Sequence, residues 1–302
     1  MGNRRDLISV VMAARNAEKY IHESLSSLLR QTHQNLEIIV VDDYSTDSTV
    51  DIVNSFRDSR ISVVALAEHT GQAGALGVGV AQSSGTWIAR QDADDVSQPI
   101  RFALQLAVAR IAPANTILGT SARFFGNRRG ITLKRVTHTQ LHSQSLFHSP
   151  LIHSSLFSHR ENFETFPYDA SFLRAQDYDW IERNLSAGAQ LLNIPLPLVN
   201  YRVHNQMVSV QQRARSKHFV SIVHRRIFEQ LGAEWQGNEL DIHFALARKD
   251  PSLLPKDATE PDVVAWAKKL VRANSGSKLF SGGSMKRNLY SRVSQITHQI
   301  GA

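Results

Sequence analysis

From residue 8 to residue 89 the chain alternates short β-branched runs with longer stretches of helical periodicity, an order few architectures accept. The runs lie at 8–12, 37–41, 61–65 and 87–89. Between the first two, Tyr20, Ile21, Leu25, Leu28 and Leu29 recur at helical spacing, and Val50, Ile52, Val53 and Phe56 do so more loosely between the next two. A parallel neighbour needs a crossover, so strand, helix and strand in repetition predict a parallel sheet. The runs are almost continuously apolar, which implies helices on both sheet faces. Asn16 is expected to cap the first helix, and Ser45 or Thr46 the second. Ligands in such sheets bind beyond the carboxyl ends of the strands, so polar residues just after each run are the candidates for function.

The glycines at 71, 74, 77 and 79 do not space as G-x-G-x-x-G, and no Walker A string occurs. Dinucleotide and P-loop chemistry lose their main support, and these glycines are expected to allow close helix-to-sheet packing or backbone approach to a ligand. After Pro99 the reading predicts a helix over 101–110, strands over 116–124 and 151–157, and helices over 176–187 and 208–231. Asp250-Pro251, Leu254-Pro255 and Glu260-Pro261 mark turns beyond it. The expected organisation is one domain over 1–232, in two halves (1–98 and 99–232), followed by a helical, basic extension over 233–302.

The formal charge of the 302 residues is +7, from 34 Lys+Arg against 27 Asp+Glu. Residues 263–302 carry seven basic side chains and no acidic one, so residues 1–262 balance at 27 against 27. A nucleic-acid surface would interleave cations with stacking aromatics, and this stretch offers only Trp266, Phe280 and Tyr290, so no nucleic-acid partner is expected. Two readings of the stretch stand: a solvated tail broken at 275–277 and 281–284, or a contact with an anionic membrane surface. No apolar run is long enough to span a bilayer. The apolar stretch after Arg4-Arg5 is cut short by Arg15 and Asn16, and reads as a buried strand rather than a secretory signal. Without cysteine there is no disulfide, thiolate zinc site or cysteine nucleophile, so any metal is held by oxygen or imidazole. His138, His142, His148, His153 and His159 crowd one stretch, but their spacing fits no zinc pattern; a pocket lining or a surface location is expected.

Three acidic groups stand where ligands should bind: Asp42-Asp43 with Asp47 after the second run, Asp92, Asp94 and Asp95 after the fourth, and Asp177 with Asp179 at a helix start. Adjacent carboxylates at a strand end repel unless a cation or donors compensate them. Hard divalent ions take one or two carboxylates plus phosphate oxygens, so a D-x-D beside a nucleotide crevice suits a metal diphosphate. A helix cap or a solvated turn is the alternative for any single cluster.

Taken in order, the segments ISVVMAARNAEKYIHESLSSLLRQT, LEIIVVDDYSTDST, GTWIARQDADD, HSSLFSHRE, AQDYDWIERN and YRVHNQMVS resemble glycosyltransferase family 2, the inverting sugar transferases of GT-A fold. The likeness runs from residue 8 to residue 209. It implies an α/β chain in which a Rossmann-like nucleotide-binding sheet is fused to a mixed acceptor-binding sheet, with a C-terminal helical extension. The chain departs from the family at Arg15, where a tyrosine stacks on the base, at Tyr44 in place of glycine, and at Gln176 in place of glutamate. The family's processive synthases are disfavoured, because their Q-x-x-R-W string and membrane helices are missing.

Carried over residue by residue, the resemblance implies that Ala13, Arg15, Asp42, Asp43 and Asp92 hold the nucleotide sugar. Asp94 would bind Mn²⁺ or Mg²⁺, with His204 as a further ligand or diphosphate contact. Asp177 would be the catalytic base, at a helix start, where negative charge is favoured. Asp179, two residues on, is expected to be structural. The implied activity is a single displacement that moves a sugar from a nucleotide-diphosphate sugar, UDP-linked, to a hydroxyl of a glycan or lipid-linked acceptor in cell-surface polysaccharide biosynthesis. The implied location is cytoplasmic, with peripheral contact at the inner membrane face through 263–302. A metal-dependent nucleotidyltransferase or phosphatase, and a catalytically silent nucleotide-sugar binder, are the competing readings.

Overall fold

The computed structural model describes residues 6–133, 135–204 and 213–300. The chain divides into two compact units, Met1–Thr137 with Leu151–Gln211, and His138–Pro150 with Gln212–Ala302.

The first unit is built on one nine-stranded sheet. Strands β1 (Ile8–Ala14), β2 (Leu36–Asp42), β3 (Ile61–Ala65) and β4 (Trp87–Arg90) are parallel and lie in the order β3-β2-β1-β4, joined by helices α1 (Ile21–Leu29), α2 (Thr49–Ser55) and α3 (Gly71–Ala81). Beyond β4 the sheet turns mixed. β8 (Phe157–His159) is antiparallel to β4 and to β6 (Thr116–Gly126), while β6 runs parallel to β9 (Gln190–Val203). The two-residue β5 (Val96–Ser97) closes the edge on β9, and β7 (Gly130–Thr132) folds back on β6. The helices of this part are α4 (Arg101–Ala109), α6 (Arg160–Thr165) and α7 (Gln176–Ser186).

Alternation along β1 explains the layering. Ile8, Val10, Met12 and Ala14 join Ile38 and Val40 of β2 against Ile21, Leu25 and Leu28 of α1 and Phe102 of α4. On the opposite face Ile39 and Val41 pack on Ala75 of α3. Each fully buried aliphatic side chain contributes about 1.5–3 kcal/mol. The expected role of the glycines in close packing is met at Gly79, where a Cβ would stand 2.5 Å from Val11 Cγ1 and 3.2 Å from Val41 Cγ2. At Gly77 a Cβ would meet nothing within 4 Å.

Three local expectations fail for tertiary reasons. Asn16 does not cap α1: it takes a left-handed turn (φ 49°), its Oδ1 accepts the Thr46 N–H at 2.9 Å and its own N–H donates to Ser45 Oγ at 2.9 Å, so it ties the ends of β1 and β2 together. Ser45 and Thr46 are used in the same junction, and α2 starts only at Thr49 after Ser48. The strand expected over 151–157 is a 3-10 turn, His153–Ser155, followed by the short β8. β9 was not among the expected strands, and it carries Pro195 and Pro197, which cannot donate to a ladder. They fall at a register shift, where Thr120 pairs with Ile194 but Ser121 with Pro197 and Ala122 with Val199; a bulge accommodates the missing donors.

The second unit is helical: α5 (His138–Ser145), α8 (Arg213–Leu231), α9 (Glu239–Arg248), α10 (Glu260–Ser277) and α11 (Gly282–Ile300). Residues 208–212 of the expected long helix lie outside the described residues. The helix at 213–231, expected with the first domain, belongs to this unit. The basic stretch is a helical hairpin with a core of Val263, Trp266, Leu270, Phe280, Leu289 and Ile296, which corrects the reading as a solvated tail. A Thr259–Asp262 capping box starts α10, residues 275–277 form its last turn, and Lys278 (φ 55°) ends it. Arg292 is buried, donating to the Leu246 and Ala247 carbonyls at 3.0 and 2.9 Å, and Lys269 pairs with Glu239 at 2.7 Å. Lys268, Arg272, Lys278, Lys286 and Arg287 remain exposed. No helix among the described residues is long and apolar enough to cross a membrane.

Candidate active site

The carboxyl ends of β1 and β2 meet at Ala14 and Asp42, which are register partners, and the Asp43 N–H donates to the Ala14 carbonyl at 2.8 Å. Asp42 is buried and accepts from both the N–H and the hydroxyl of Ser45, so its carboxylate holds the turn. Asp43 accepts from Thr70 N–H at 2.7 Å and from His69 Nδ1 at 2.7 Å, contacts that lock the loop before α3 against the strand ends. Tyr44, where the family has glycine, adopts the left-handed conformation that favours glycine (φ 62°) and turns its ring to solvent. Arg15 is also exposed and Ala13 is half-buried at the strand end.

The loop after β4 brings three carboxylates together: ligand atoms of Asp92, Asp94 and Asp95 all lie within 4.8 Å of one another. Asp92 Oδ1 accepts from Arg90 Nη2 at 2.6 Å and from Gln72 Nε2 at 3.1 Å. Burial works against its charge, but Arg90 holds the carboxyl below the usual range. Asp95 accepts from Ser154 Oγ and from the Arg202 N–H at 2.8 Å; burial and its two acidic neighbours push it well up. Asp94 is raised by burial and by Asp92, and its Oδ2 lies 3.0 Å from His204 Nε2.

The loop rests on a buried polar platform. The Arg101 guanidinium donates to Gln91 Oε1, Ser97 Oγ, Gln105 Oε1 and the Arg90 carbonyl at 2.8–3.0 Å, and burial lowers its pKa to about 9. From β9, the Arg202 side chain donates to the Asp94 carbonyl at 2.9 Å, pairs with Glu23, and lies over the rings of Tyr20 and Phe125. Residues 205–209 of the YRVHNQMVS segment lie outside the described residues.

Helix α7 starts after Ala175, which is in the left-handed region (φ 57°). Gln176, at the glutamate position of the family motif, bonds to Gln72, which bonds to Asp92, so a side-chain relay links the start of α7 to the β4 loop. Asp177 is half-buried. Its charge and that of Asp92 are both felt at His153 and at Tyr168, and Tyr201 feels Asp92, Asp95, Asp94 and Asp177. Hydrogen bonds thus join the start of α7, beside Asp177, to Asp92 through Gln72, and join Asp94 of the same loop to His204. His153 Nε2 is 3.1 Å from the Tyr168 hydroxyl; burial, with Arg90 nearby, lowers its pKa to about 4, so the ring is neutral at pH 7. Asp179, expected to be structural, is buried and paired with Arg183 at 2.8 Å.

The donor set suits a hard divalent cation. Asp94 is raised in pKa by burial beside another carboxylate, and His204, its hydrogen-bonding partner, leaves a buried Nδ1 unpartnered among the described residues. Carboxylate oxygen and imidazole nitrogen are ligands that Mn²⁺ and Mg²⁺ sites accept. Asp92 and Asp95 are each held by two other protein donors, while the side chain of Asp94 meets His204.

Sequence reasoning missed Gln72, Arg90, Arg101, Tyr168 and Arg202. Arg90 and Arg202 stand inside quoted segments, next to the residues singled out. Gln72 and Tyr168 carry no local signal.

The profile of "Glycosyl transferase family 2" matches residues 9–173. An uncharacterized glycosyltransferase of Haemophilus influenzae is 30% identical over 230 residues, 70% of either chain. The Escherichia coli UDP-Glc:alpha-D-GlcNAc-diphosphoundecaprenol beta-1,3-glucosyltransferase WfaP is 41% identical over 90 residues, 30% of this chain and 36% of that protein. Among solved structures, S. aureus TarS 1-349 in complex with UDP superposes with a TM-score of 0.62 at 17% identity, covering 98% of this chain and 92% of that one. The mannosyltransferase PcManGT of Pyrobaculum calidifontis, in complex with GDP-Man and Mn²⁺, gives 0.57 at 17% identity over 96% of this chain and 86% of that one. The fold is of the GT-A type these structures share, and the chain belongs to glycosyltransferase family 2, a family of transferase enzymes.

Proposed function

We propose that this chain is an inverting glycosyltransferase that moves a sugar from a UDP-linked donor to a hydroxyl of a glycan or lipid-linked acceptor in cell-surface polysaccharide biosynthesis, with Asp177 as base. The observation that carries this reading is the Gln176–Gln72–Asp92 relay, which ties the helix start bearing Asp177 to the loop that bears the Asp94–His204 pair. The UDP-bound TarS complex and the substrate named for WfaP support the donor and the acceptor class.

Ala13, Arg15 and Asp43 face the base and ribose at the ends of β1 and β2, while Asp42 holds the turn that presents them. Asp92, oriented by Arg90 and Gln72, approaches the donor sugar or ribose. Asp94 and His204 would hold Mn²⁺ or Mg²⁺, which would supply positive charge to offset that of the diphosphate. An Asp177 oxygen accepts the proton of the acceptor hydroxyl as that oxygen attacks the anomeric carbon, and the carbon's bond to the diphosphate oxygen breaks. One displacement inverts the configuration. His153, neutral and fixed on Tyr168, offers the acceptor a hydrogen-bonding group without adding a charge beside Asp177. Peripheral contact with the inner membrane face, through the exposed cations of α10 and α11, belongs to the same reading.

The test is incubation with UDP-sugars, Mn²⁺ and an acceptor glycan, with the product anomer read by NMR. An inverted linkage whose formation stops with EDTA is expected. A retained anomer or EDTA-resistant transfer would refute the reading, and UDP-sugar binding without any turnover would favour a silent binder.

A further inference from the structure

Residues 96–160 contain eight Arg or Lys side chains and no Asp or Glu. Four of the eight, Arg123, Arg128, Arg129 and Arg135, are exposed on and just after the β6–β7 hairpin, and among the described residues none of them pairs with a carboxylate. Between and beside them stand Ile131, Leu133 and Val136, exposed by 50%, 69% and 40%. The described residues include ten exposed large hydrophobic side chains, and three fall within these six positions. Scattered single apolar residues are ordinary on a surface; a cluster ringed by unneutralised guanidinium groups is not.

The hairpin grows from the rim of the active site. Phe124, Phe125 and Gly126 of β6 are the register partners of Tyr201, Arg202 and Val203 of β9, and the Asn127 N–H donates to the Val203 carbonyl at 2.8 Å. Gly126 is required there: its φ is 87°, and a Cβ would stand 2.5 Å from the Val203 oxygen. Arg202 lies over Phe125 while it holds the Asp94 carbonyl, and Arg128 lies over Phe124, whose ring meets Tyr201 edge-on. At about 3.3 Å per residue the turn at 127–129 stands roughly 10 Å beyond the Arg202 row.

Guanidinium groups pair with phosphate oxygens, while aliphatic side chains on the same short hairpin can enter the headgroup boundary. The hairpin has no exposed aromatic ring for stacking on bases, and uncompensated cations favour an anionic partner. We infer that this hairpin is a contact between the catalytic unit and an anionic lipid bilayer, with Arg128, Arg129 and Arg135 on lipid phosphates and Ile131 and Leu133 in the headgroup boundary. Resting on the transferase reading only for its lipid-linked acceptor, the contact presents the mouth of the site to the surface in which that acceptor is embedded.

The test is co-sedimentation of the full chain with phosphatidylglycerol vesicles and with phosphatidylcholine vesicles, without donor or acceptor, so a failed transfer assay and a failed partition assay are separate results. Arg128→Ala with Arg129→Ala should lower partition onto phosphatidylglycerol by about fivefold per arginine, roughly 30-fold together. Leu133→Ser should lower it as well, and the wild-type chain should release at high salt. UDP binding by calorimetry should stay within twofold of wild type in both variants, as expected for exposed side chains in a folded chain. Wild-type partition by both variants would overturn the proposal. So would hairpin variants that keep partition but lose transfer to a water-soluble acceptor, which would make the patch an acceptor grip.

Discussion

Replacing Asp177 by Asn tests the proposed chemistry most directly, because the shape is conserved while the proton acceptor is removed. Asp177 is the second residue of α7, where a negative charge is worth about 0.3–1 kcal/mol at the helix start. Its loss should lower the melting temperature by no more than about 4 °C. A positioned general base contributes about 10²–10⁴ in rate, roughly 3–5 kcal/mol of barrier, so the fall in kcat should far exceed any effect of unfolding. The neighbouring His153 is a poor substitute base. The Asp177 charge raises the pKa of His153, which burial has already pushed down to about 4, so Asn at 177 makes that imidazole a still weaker proton acceptor. The assay is acceptor-dependent UDP release at saturating donor, beside calorimetric UDP binding and a thermal melt of the same preparation. A kcat within threefold of wild type would refute Asp177 as base; so would activity lost only in proportion to UDP binding.

Two glycines of α3 should respond with opposite signs. Gly77→Ala meets open space and should gain up to about 1 kcal/mol from helix propensity, whereas Gly79→Ala forces a Cβ to 2.5 Å from buried Val11 and should lose about 1–3 kcal/mol to overpacking. Urea melts that gave both variants the same sign would contradict the packing described for α3. A pH effect follows from His224 and His243 in the second unit, both fully buried with rings 4.6 Å apart. Burial lowers His224 to about 4, the Phe147 carbonyl opposing and Arg248 and Arg292 adding to it; burial and His224 push His243 well down. The unfolded chain takes up these protons near pH 6.5 and the folded chain does not, so stability is full above that pH and is lost as pH falls toward 4, by roughly 3 kcal/mol for His224. Melts between pH 7.5 and 4.5 should show this slope, and a His224→Gln variant should flatten it; an unchanged slope would remove His224 from the account.

The parallel half of the sheet was legible because its signals are local: β1, β2 and β3 are β-branched runs separated by helical periodicity, and covalent order alone restricts how they pair. The acidic groups were legible for the same reason, since each follows its strand directly. Expectation failed where partners are distant in the chain. β9 was not expected and forms by pairing with β6 through a bulge, Asn16 was drawn from α1 by residues 30 positions away, and the cationic tail became a hairpin because Trp266 and Leu289 find apolar neighbours. The order of strands and helices, the position of the carboxylates at strand ends and the family likeness are thus properties of the sequence by itself, carried by spacing of a few residues. Only the tertiary structure decides that Gln72 joins Gln176 to Asp92, that Arg202 reaches back across 108 positions to the Asp94 carbonyl, and that the β6–β7 hairpin is anchored beside Arg202 on β9, because such contacts depend on how the sheet brings remote segments into register.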